Sequence, residues 1–173
     1  SPLDRWQCPN TDLDQVRRAV EPYPRDKLVI MGAQVTIAPE VLLETTGAWG
    51  AISGEPESVI AALAAGQRPG DAPGTAQLRE GTLHKGPTAP QVEMSELPMP
   101  AFDLIDFADY HYEVLGGDFG LLELTRGCPW SCKYCLLTMY GKRYRKKGTQ
   151  QLRAEIVDAM SRGMKRAYFQ DLE

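Results

Sequence analysis

The chain has 173 residues, of which 43% are hydrophobic and 24% are charged, and its net charge at pH 7 is −4. This composition predicts a globular protein, and the acidic balance argues against nucleic acid or an anionic membrane as the default partner. No run of about 18 apolar residues could span a bilayer, and the first residues (SPLDR) do not resemble a signal peptide. Four cysteines are too few for a disulfide scaffold, so we expect a cytoplasmic protein.

Helical and extended patterns alternate over the first third of the chain. Leu13, Val16 and Val20 lie at helical spacing and predict an amphipathic helix. Further helices are predicted over residues 39–45 and 57–65, with short buried strands over residues 28–31 and 51–53. This alternation is typical of part of a doubly wound α/β layer.

Proline and glycine dominate the next stretch, residues 67–100, which predicts a linker with a hairpin over residues 77–84. Residues 101–112 carry apolar side chains at helical spacing and predict a packed bridging segment. We therefore divide the chain into residues 1–66, a linker over 67–119, and a second domain over 120–173.

The second domain is predicted as one βαβ unit. A strand over residues 121–125 leads into a cysteine-containing loop, and Thr149 is predicted to cap a helix whose Leu152, Ile156 and Ala159 share one face. A second strand follows at residues 165–170. Because nothing follows to cover that strand and the chain does not begin with Met, we expect a piece of a longer protein.

Three cysteines, Cys128, Cys132 and Cys135, have the spacing C-x3-C-x2-C at the end of the first of these strands. Thiolates ligate iron–sulfur clusters, and three ligands for four irons leave one iron open to a substrate. A zinc site with a histidine, or simple buried thiols, are the alternatives. Both histidines, His84 and His111, lie upstream of the cysteines, so the spacing favours a cluster.

This motif, with the aromatic Tyr134 before its last cysteine, resembles the signature of radical S-adenosylmethionine (SAM) enzymes. The resemblance implies a 4Fe–4S cluster on the three cysteines at the end of the first strand of a partial TIM-like barrel. It implies that SAM binds the fourth iron and is cleaved to a 5′-deoxyadenosyl radical, with Tyr134 beside the adenine. It also implies that Asp171 or Glu173 meets the SAM amino group, in place of a glycine–glycine–glutamate segment that is absent here.

The upstream part resembles the second half of the cobalamin-binding domain that precedes the radical domain in one large subfamily. In that resemblance, Gly32 and Gly54 end strands and let a corrin ring or its nucleotide approach the backbone. Ala33, Val35 and Pro56 depart from the subfamily pattern, where a glycine, a histidine and another glycine stand. The predicted fold class is therefore α/β, a partial Rossmann-like layer followed by the first βα units of a radical SAM barrel.

The same resemblance implies a function: cobalamin-dependent methylation, cyclisation or ring rearrangement of a small molecule, with an electron donor such as flavodoxin or ferredoxin. The catalytic residues and the substrate are not indicated. Two alternatives stay open, a radical SAM enzyme whose upstream domain has lost cobalamin, and a zinc-stabilised binding module without catalysis.

Two features near the cysteines have more than one interpretation. The run KRYRKK at residues 142–147 is either a solvated loop or a source of contacts from Arg143 or Arg145 to an anionic ligand. Trp130, inside the cysteine motif, is predicted to shield a cluster from solvent.

Overall fold

The chain divides into two units, Ser1–Pro90 and Gln91–Glu173. The structure, a computed structural model, describes residues 12–133 and 140–171. The division lies inside the stretch predicted as a linker, and the three-part boundaries derived from the sequence stay a prediction. Within the described ranges, none of the helices combines the length and the apolar character needed to cross a membrane.

The first unit is built on a four-stranded sheet in the order β1-β2-β3-β4. Strands β1 and β2 are parallel, and the two later pairs are antiparallel. The strands are β1 (Val29–Met31), β2 (Gly50–Ile52), β3 (Thr75–Arg79) and β4 (Thr82–Lys85), and the helices are α1 (Leu13–Val20), α2 (Ala33–Ile37), α3 (Pro39–Thr46) and α4 (Glu57–Ala64).

Local chemistry explains where these helices begin and end. The Asp12 side chain accepts a hydrogen bond from the backbone N–H of Asp14 and so caps α1. Pro39 is the first residue of α3, a position where its missing N–H costs no hydrogen bond, and Gly47 ends that helix with a φ of 64°. The helices and strands enclose a small apolar core of Val35, Leu43, Ala48, Ala51 and Ala76.

The hairpin of β3 and β4 is an integral part of this sheet. Ala51 and Ile52 of β2 pair with Ala76 and Thr75 of β3, so the hairpin extends the parallel pair by two strands. The sequence predicts the hairpin itself and places it within the linker over residues 67–119. In the structure Ala76 of β3 belongs to the first core.

The second unit contains the predicted βαβ arrangement. Strand β5 (His111–Tyr112) pairs with β6 (Gly116–Gly117), and β7 (Phe119–Leu122) pairs in parallel with the last strand, β10 (Arg166–Phe169). Two short strands, β8 (Thr125–Arg126) and β9 (Arg145–Lys146), form a separate antiparallel pair, and the helix α5 (Thr149–Ser161) precedes β10. Thr149 is the first residue of α5, and its predicted cap position is held by Gly148.

The bridging segment packs as predicted but is not an α-helix. It forms two short 3₁₀ turns, Phe102–Leu104 and Phe107–Asp109, and the Asp106 side chain caps the second turn at the backbone N–H of Ala108. The rings of the buried Phe102 and Phe107 lie 5.7 Å apart. They share the second core with three further buried residues, Leu122, Ala159 and Met164.

Candidate metal centre

The cysteine loop leaves the carboxyl end of the β7–β8 segment, the edge at which α/β folds place their sites. Cys128 is buried, 8% exposed, and Cys132 is exposed. Tyr134 and Cys135 lie outside the described residues, as does Glu173. In the ranges that the structure describes, no three His, Cys, Asp or Glu side chains are grouped as a metal site, and the third cysteine of the motif is not among the residues searched.

The two ends of the loop are joined at its base by the backbone. Thr125 and Arg126 of β8 pair with Lys146 and Arg145 of β9, and the N–H of Cys128 donates to the carbonyl of Gly141 at 3.2 Å. These hydrogen bonds join the two ends of the loop, at residues 128 and 141, to each other.

Gly127 makes this closure possible. Its φ is 80°, a left-handed conformation that other residues rarely adopt. A Cβ built at Gly127 would lie 2.1 Å from the carbonyl oxygen of Arg143, well inside van der Waals contact. The two ends of the loop approach each other so closely that only a residue without a side chain fits immediately before the first cysteine.

Side chains tie the same two ends together. The Arg126 guanidinium forms a two-pronged ion pair with Glu123 at 2.9–3.0 Å, and it also lies 5.2 Å from the centroid of the Tyr140 ring. The Tyr140 carbonyl accepts hydrogen bonds from Gln91 Nε2 at 2.8 Å and from Arg145 Nη2 at 3.2 Å. Both edges of the loop base are thus held by side-chain hydrogen bonds and an ion pair in addition to the backbone pairing.

The basic run after the loop, residues 142–147, is more buried than a solvated loop would be. Arg145 is buried and also donates to the carbonyl of Val92, while the buried Lys147 pairs with Glu155 of α5 at 2.6 Å. Arg143 is exposed and pairs with Glu93. The run therefore supplies structural contacts at Arg145 and Lys147, and the solvated-loop interpretation was wrong for these two residues.

Asp171, expected from the resemblance to meet a cofactor amino group, holds the backbone just before the loop. Its Oδ1 accepts from the N–H groups of Leu124, at 2.9 Å, and Thr125, at 2.8 Å. The carboxylate thus connects the residues beyond β10 with the start of β8. Trp130, by contrast, is 65% exposed, so its predicted shielding role is not seen.

In the first unit, the two predicted glycines lie at the ends of the parallel strands and share one hydroxyl. Thr36 Oγ1 donates to the carbonyl of Gly32 at 2.9 Å and accepts from the N–H of Gly54 at 3.0 Å. Gly32 has a φ of 119°, and no atom lies within 4 Å of a Cβ built there. Val35, which stands where the resemblance expects a histidine, is buried in the first core.

The residues present fit a sulfur-ligated cluster better than they fit cobalamin. Two of the three expected thiols lie on one closed loop, one of them buried, which suits an iron–sulfur site. The free space beside Gly32 would tolerate a flat ring. However, Val35 occupies the position at which the resemblance to cobalamin-binding domains expects a histidine.

Sequence reasoning missed Gln91 and Glu93, which contact the return segment of the cysteine loop, and Thr36, which joins the two glycines of the first unit. None of the three carries a local motif, because these partners lie 18 to 50 residues away in the chain. The burial of Arg145 and Lys147, on either side of the exposed Lys146, follows the alternation of a strand. The run KRYRKK does not reveal it, because five of its six residues are basic and no apolar side chain marks the buried face.

Comparison with known proteins finds relatives among methyltransferases. An uncharacterized methyltransferase from Pyrococcus horikoshii is 27% identical over 136 residues, covering 75% of this chain and 29% of that protein. Another uncharacterized methyltransferase, from Synechocystis sp., is 24% identical over 157 residues, covering 90% of this chain and 26% of that protein. The chain thus spans less than a third of the length of these relatives. No protein-family model matches the sequence.

Solved structures share the fold. The radical S-adenosylmethionine methyltransferase TsrM from Kitasatospora setae, with tryptophan substrate and a SAM analog bound, superposes with a TM-score of 0.66 at 18% identity, over 93% of this chain and 33% of that one. A second TsrM structure holds cobalamin and a [4Fe-4S] cluster. The cobalamin-dependent SAM radical enzyme OxsB, with aqua-cobalamin and SAM bound, gives a TM-score of 0.66 at 20% identity, over 93% of this chain and 23% of that one. The predicted α/β fold class is confirmed.

Proposed function

We propose that this protein is a radical SAM enzyme in which Cys128, Cys132 and Cys135 hold a 4Fe–4S cluster. One observation carries the proposal: a C-x3-C-x2-C motif begins on a loop that is closed at its base and lies at the carboxyl end of a strand segment. The shared fold with TsrM and OxsB and the methyltransferase relatives support it.

Each part of the loop has a role under this proposal. Cys128, Cys132 and Cys135 would hold the cluster, which would supply the electron for reductive cleavage of SAM and, with three thiolate ligands, would leave one iron available to SAM. Cys128 is buried and joined through its backbone to Gly141, so its sulfur is held out of solvent. Lys142 Nζ donates to Ser131 Oγ at 2.7 Å and connects the middle of the motif to the return segment.

The reaction that we propose is methyl transfer to a small molecule, with cyclisation or ring rearrangement as the alternative outcome. Methyltransferase relatives and the tryptophan bound to TsrM support this substrate class. Tyr134 and Glu173 are the residues that we propose near SAM. Asp171, the alternative to Glu173 in the resemblance, accepts backbone N–H groups instead. The electron donor that we propose is a flavodoxin or ferredoxin.

Cobalamin is the less well supported part of the proposal. We propose that residues 1–66 end a cobalamin-binding domain, that residues 120–173 begin the radical SAM barrel, and that Gly32 and Gly54 face the corrin. The second candidate, a radical SAM enzyme without cobalamin, is favoured by Val35, whose side chain belongs to the apolar core.

The test is anaerobic reconstitution with iron and sulfide, followed by EPR of the reduced protein with and without SAM. We expect about four irons per chain and a spectrum that shifts when SAM is added. Cys132→Ser should lose most of the iron, whereas the matched control Cys8→Ser, outside the motif, should keep it. Visible absorption of bound corrin after incubation with cobalamin separates the two radical SAM candidates.

Two results would contradict the proposal. Stoichiometric zinc that displaces iron, with no response to SAM, would indicate a zinc-stabilised binding module. Equal iron content in Cys132→Ser and Cys8→Ser would show that the iron is not held by this motif.

A further inference from the structure

We propose that Asp171 is a positioning residue, which fixes the start of the cysteine loop through the backbone rather than by contact with SAM. The carboxylate accepts two hydrogen bonds on one oxygen, from the N–H of Leu124 at 2.9 Å and from the N–H of Thr125 at 2.8 Å. Its effect on a bound cluster rests on the function proposed above, whereas the backbone contact itself does not.

The contact lies between β7, which pairs with β10, and β8, which pairs with β9. The carbonyl of Leu122, the last residue of β7, accepts a hydrogen bond from the N–H of Gln170 at 2.8 Å. This bond joins the end of β7 to the residue that follows β10. Two residues later the chain pairs with β9 instead, beginning with the N–H of Lys147, which donates to the Leu124 carbonyl at 2.9 Å. The side chain of Asp171 continues these hydrogen bonds by accepting from the N–H groups of Leu124 and Thr125.

The chemistry of the contact makes it strong. A carboxylate that receives backbone N–H groups forms charge-assisted hydrogen bonds, about twice as strong as neutral ones. Thr125 is buried, so its N–H would be costly to leave without an acceptor. An aspartate at this place is therefore explained without a ligand.

The contact is close enough in sequence to Cys128 to affect the orientation of the segment that carries its thiol. Thr125 precedes Cys128 by three residues, and Gly127 between them is confined by the Arg143 carbonyl. With Thr125 fixed on one side and Cys128 joined to Gly141 on the other, the segment has little freedom to reorient. Releasing the Thr125 N–H removes one of these two constraints.

Asparagine separates positioning from a direct contact with SAM. Asp171→Asn keeps an oxygen that can accept both N–H groups but removes the negative charge that would attract an ammonium group. Asp171→Ala removes both. Asp158→Ala is the matched control, because Asp158 is a partly exposed carboxylate of the same unit that pairs with Arg162, the residue that caps the end of α5.

The experiment measures three quantities in the wild type and the three variants. Hydrogen exchange of the Leu124 and Thr125 amides is followed by NMR in the metal-free protein, and iron content and the SAM-dependent EPR shift are recorded after reconstitution. We expect at least tenfold faster exchange at both amides, and less than half of the wild-type iron, in Asp171→Ala. Asp171→Asn should exchange faster than the wild type but more slowly than Asp171→Ala, because its neutral oxygen accepts weaker hydrogen bonds, and it should keep the iron and the EPR shift. Asp158→Ala should stay near wild type in all three readouts.

Two outcomes overturn the inference. Wild-type exchange rates at both amides in Asp171→Ala would show that the contact does not hold the backbone. Normal iron in Asp171→Asn, combined with loss of the EPR shift, would show that the carboxylate charge meets SAM directly. If the wild type itself takes up no iron, the proposed function fails, and amide exchange alone then decides whether Asp171 holds the loop start.

Discussion

The buried ion pair between Lys147 and Glu155 should be the most sensitive point in the second unit. Its atoms lie 2.6 Å apart, and the side chains are only 6% and 1% exposed. In the described part of the chain, the second oxygen of Glu155, Oε1, is buried without a hydrogen-bond partner. Removing one partner would leave an uncompensated charge in this environment, which costs about 3–5 kcal/mol in buried pairs.

That loss is large for a unit of this size. At about 0.05–0.15 kcal/mol per residue, a unit of roughly 80 residues has only about 4–12 kcal/mol of stability. We therefore expect Glu155→Ala to lower the free energy of unfolding of the second unit by about 3–5 kcal/mol, a large part of its total stability. Glu155→Gln should be nearly as damaging, because the Lys147 ammonium then has no counter-charge.

Urea unfolding followed by circular dichroism, with a double-mutant cycle, measures this effect. The double variant Lys147→Met with Glu155→Leu should recover most of the loss, since an apolar pair has no charge to desolvate. The matched control is Asp158→Ala, which removes an exposed pair with Arg162 on the same helix and should cost less than about 1 kcal/mol. A Glu155→Ala loss no greater than that of the control would refute the reasoning.

Two further predictions concern the loop base and the first unit. Gly127→Ala should cost at least about 1–2 kcal/mol from its left-handed backbone alone, and it should also lower iron retention after reconstitution. Gly148→Ala, with no atom within 4 Å of its Cβ, is the control, and similar losses in both variants would contradict the argument. In the first unit, a hydrogen bond from Arg79 lowers the pKa of Asp71 below its ordinary value. Its small contribution to stability is therefore present above the unfolded pKa and is lost as pH falls through the lower folded value. NMR titration of the Asp71 carboxyl should show the low midpoint, and Arg79→Met should raise it; an unchanged midpoint would count against the ion pair.

Much of the fold could be predicted because its signals are local. Helical spacing, Pro39 at a helix start and glycines at strand ends place most helices and strands within a residue or two of their observed bounds. Helix α2 was missed because five residues are too few to show a period. Residues 101–112 show helical spacing, but Asp106 caps a tighter turn there, so the buried Phe102 and Phe107 belong to two separate turns.

The candidate site was only partly predictable, for a different physical reason. The cysteine spacing is a local signal and identifies the loop at once. The contacts that hold the loop join residues far apart in sequence, such as Asp171 with Leu124 and Arg145 with Val92. Each depends on which strands become neighbours, and nothing in the residues themselves shows the partner.

The contact between Asp171 and the start of the loop also has a consequence for biosynthesis. Asp171 follows Cys128 by 43 residues in the sequence. At about 5–20 residues per second, the ribosome therefore adds Asp171 roughly 2–9 s after the first cysteine. For that interval the nascent chain carries its thiols without the carboxylate that we propose fixes the start of the loop. If the thiols hold metal, as proposed, loading during synthesis should follow the addition of Asp171.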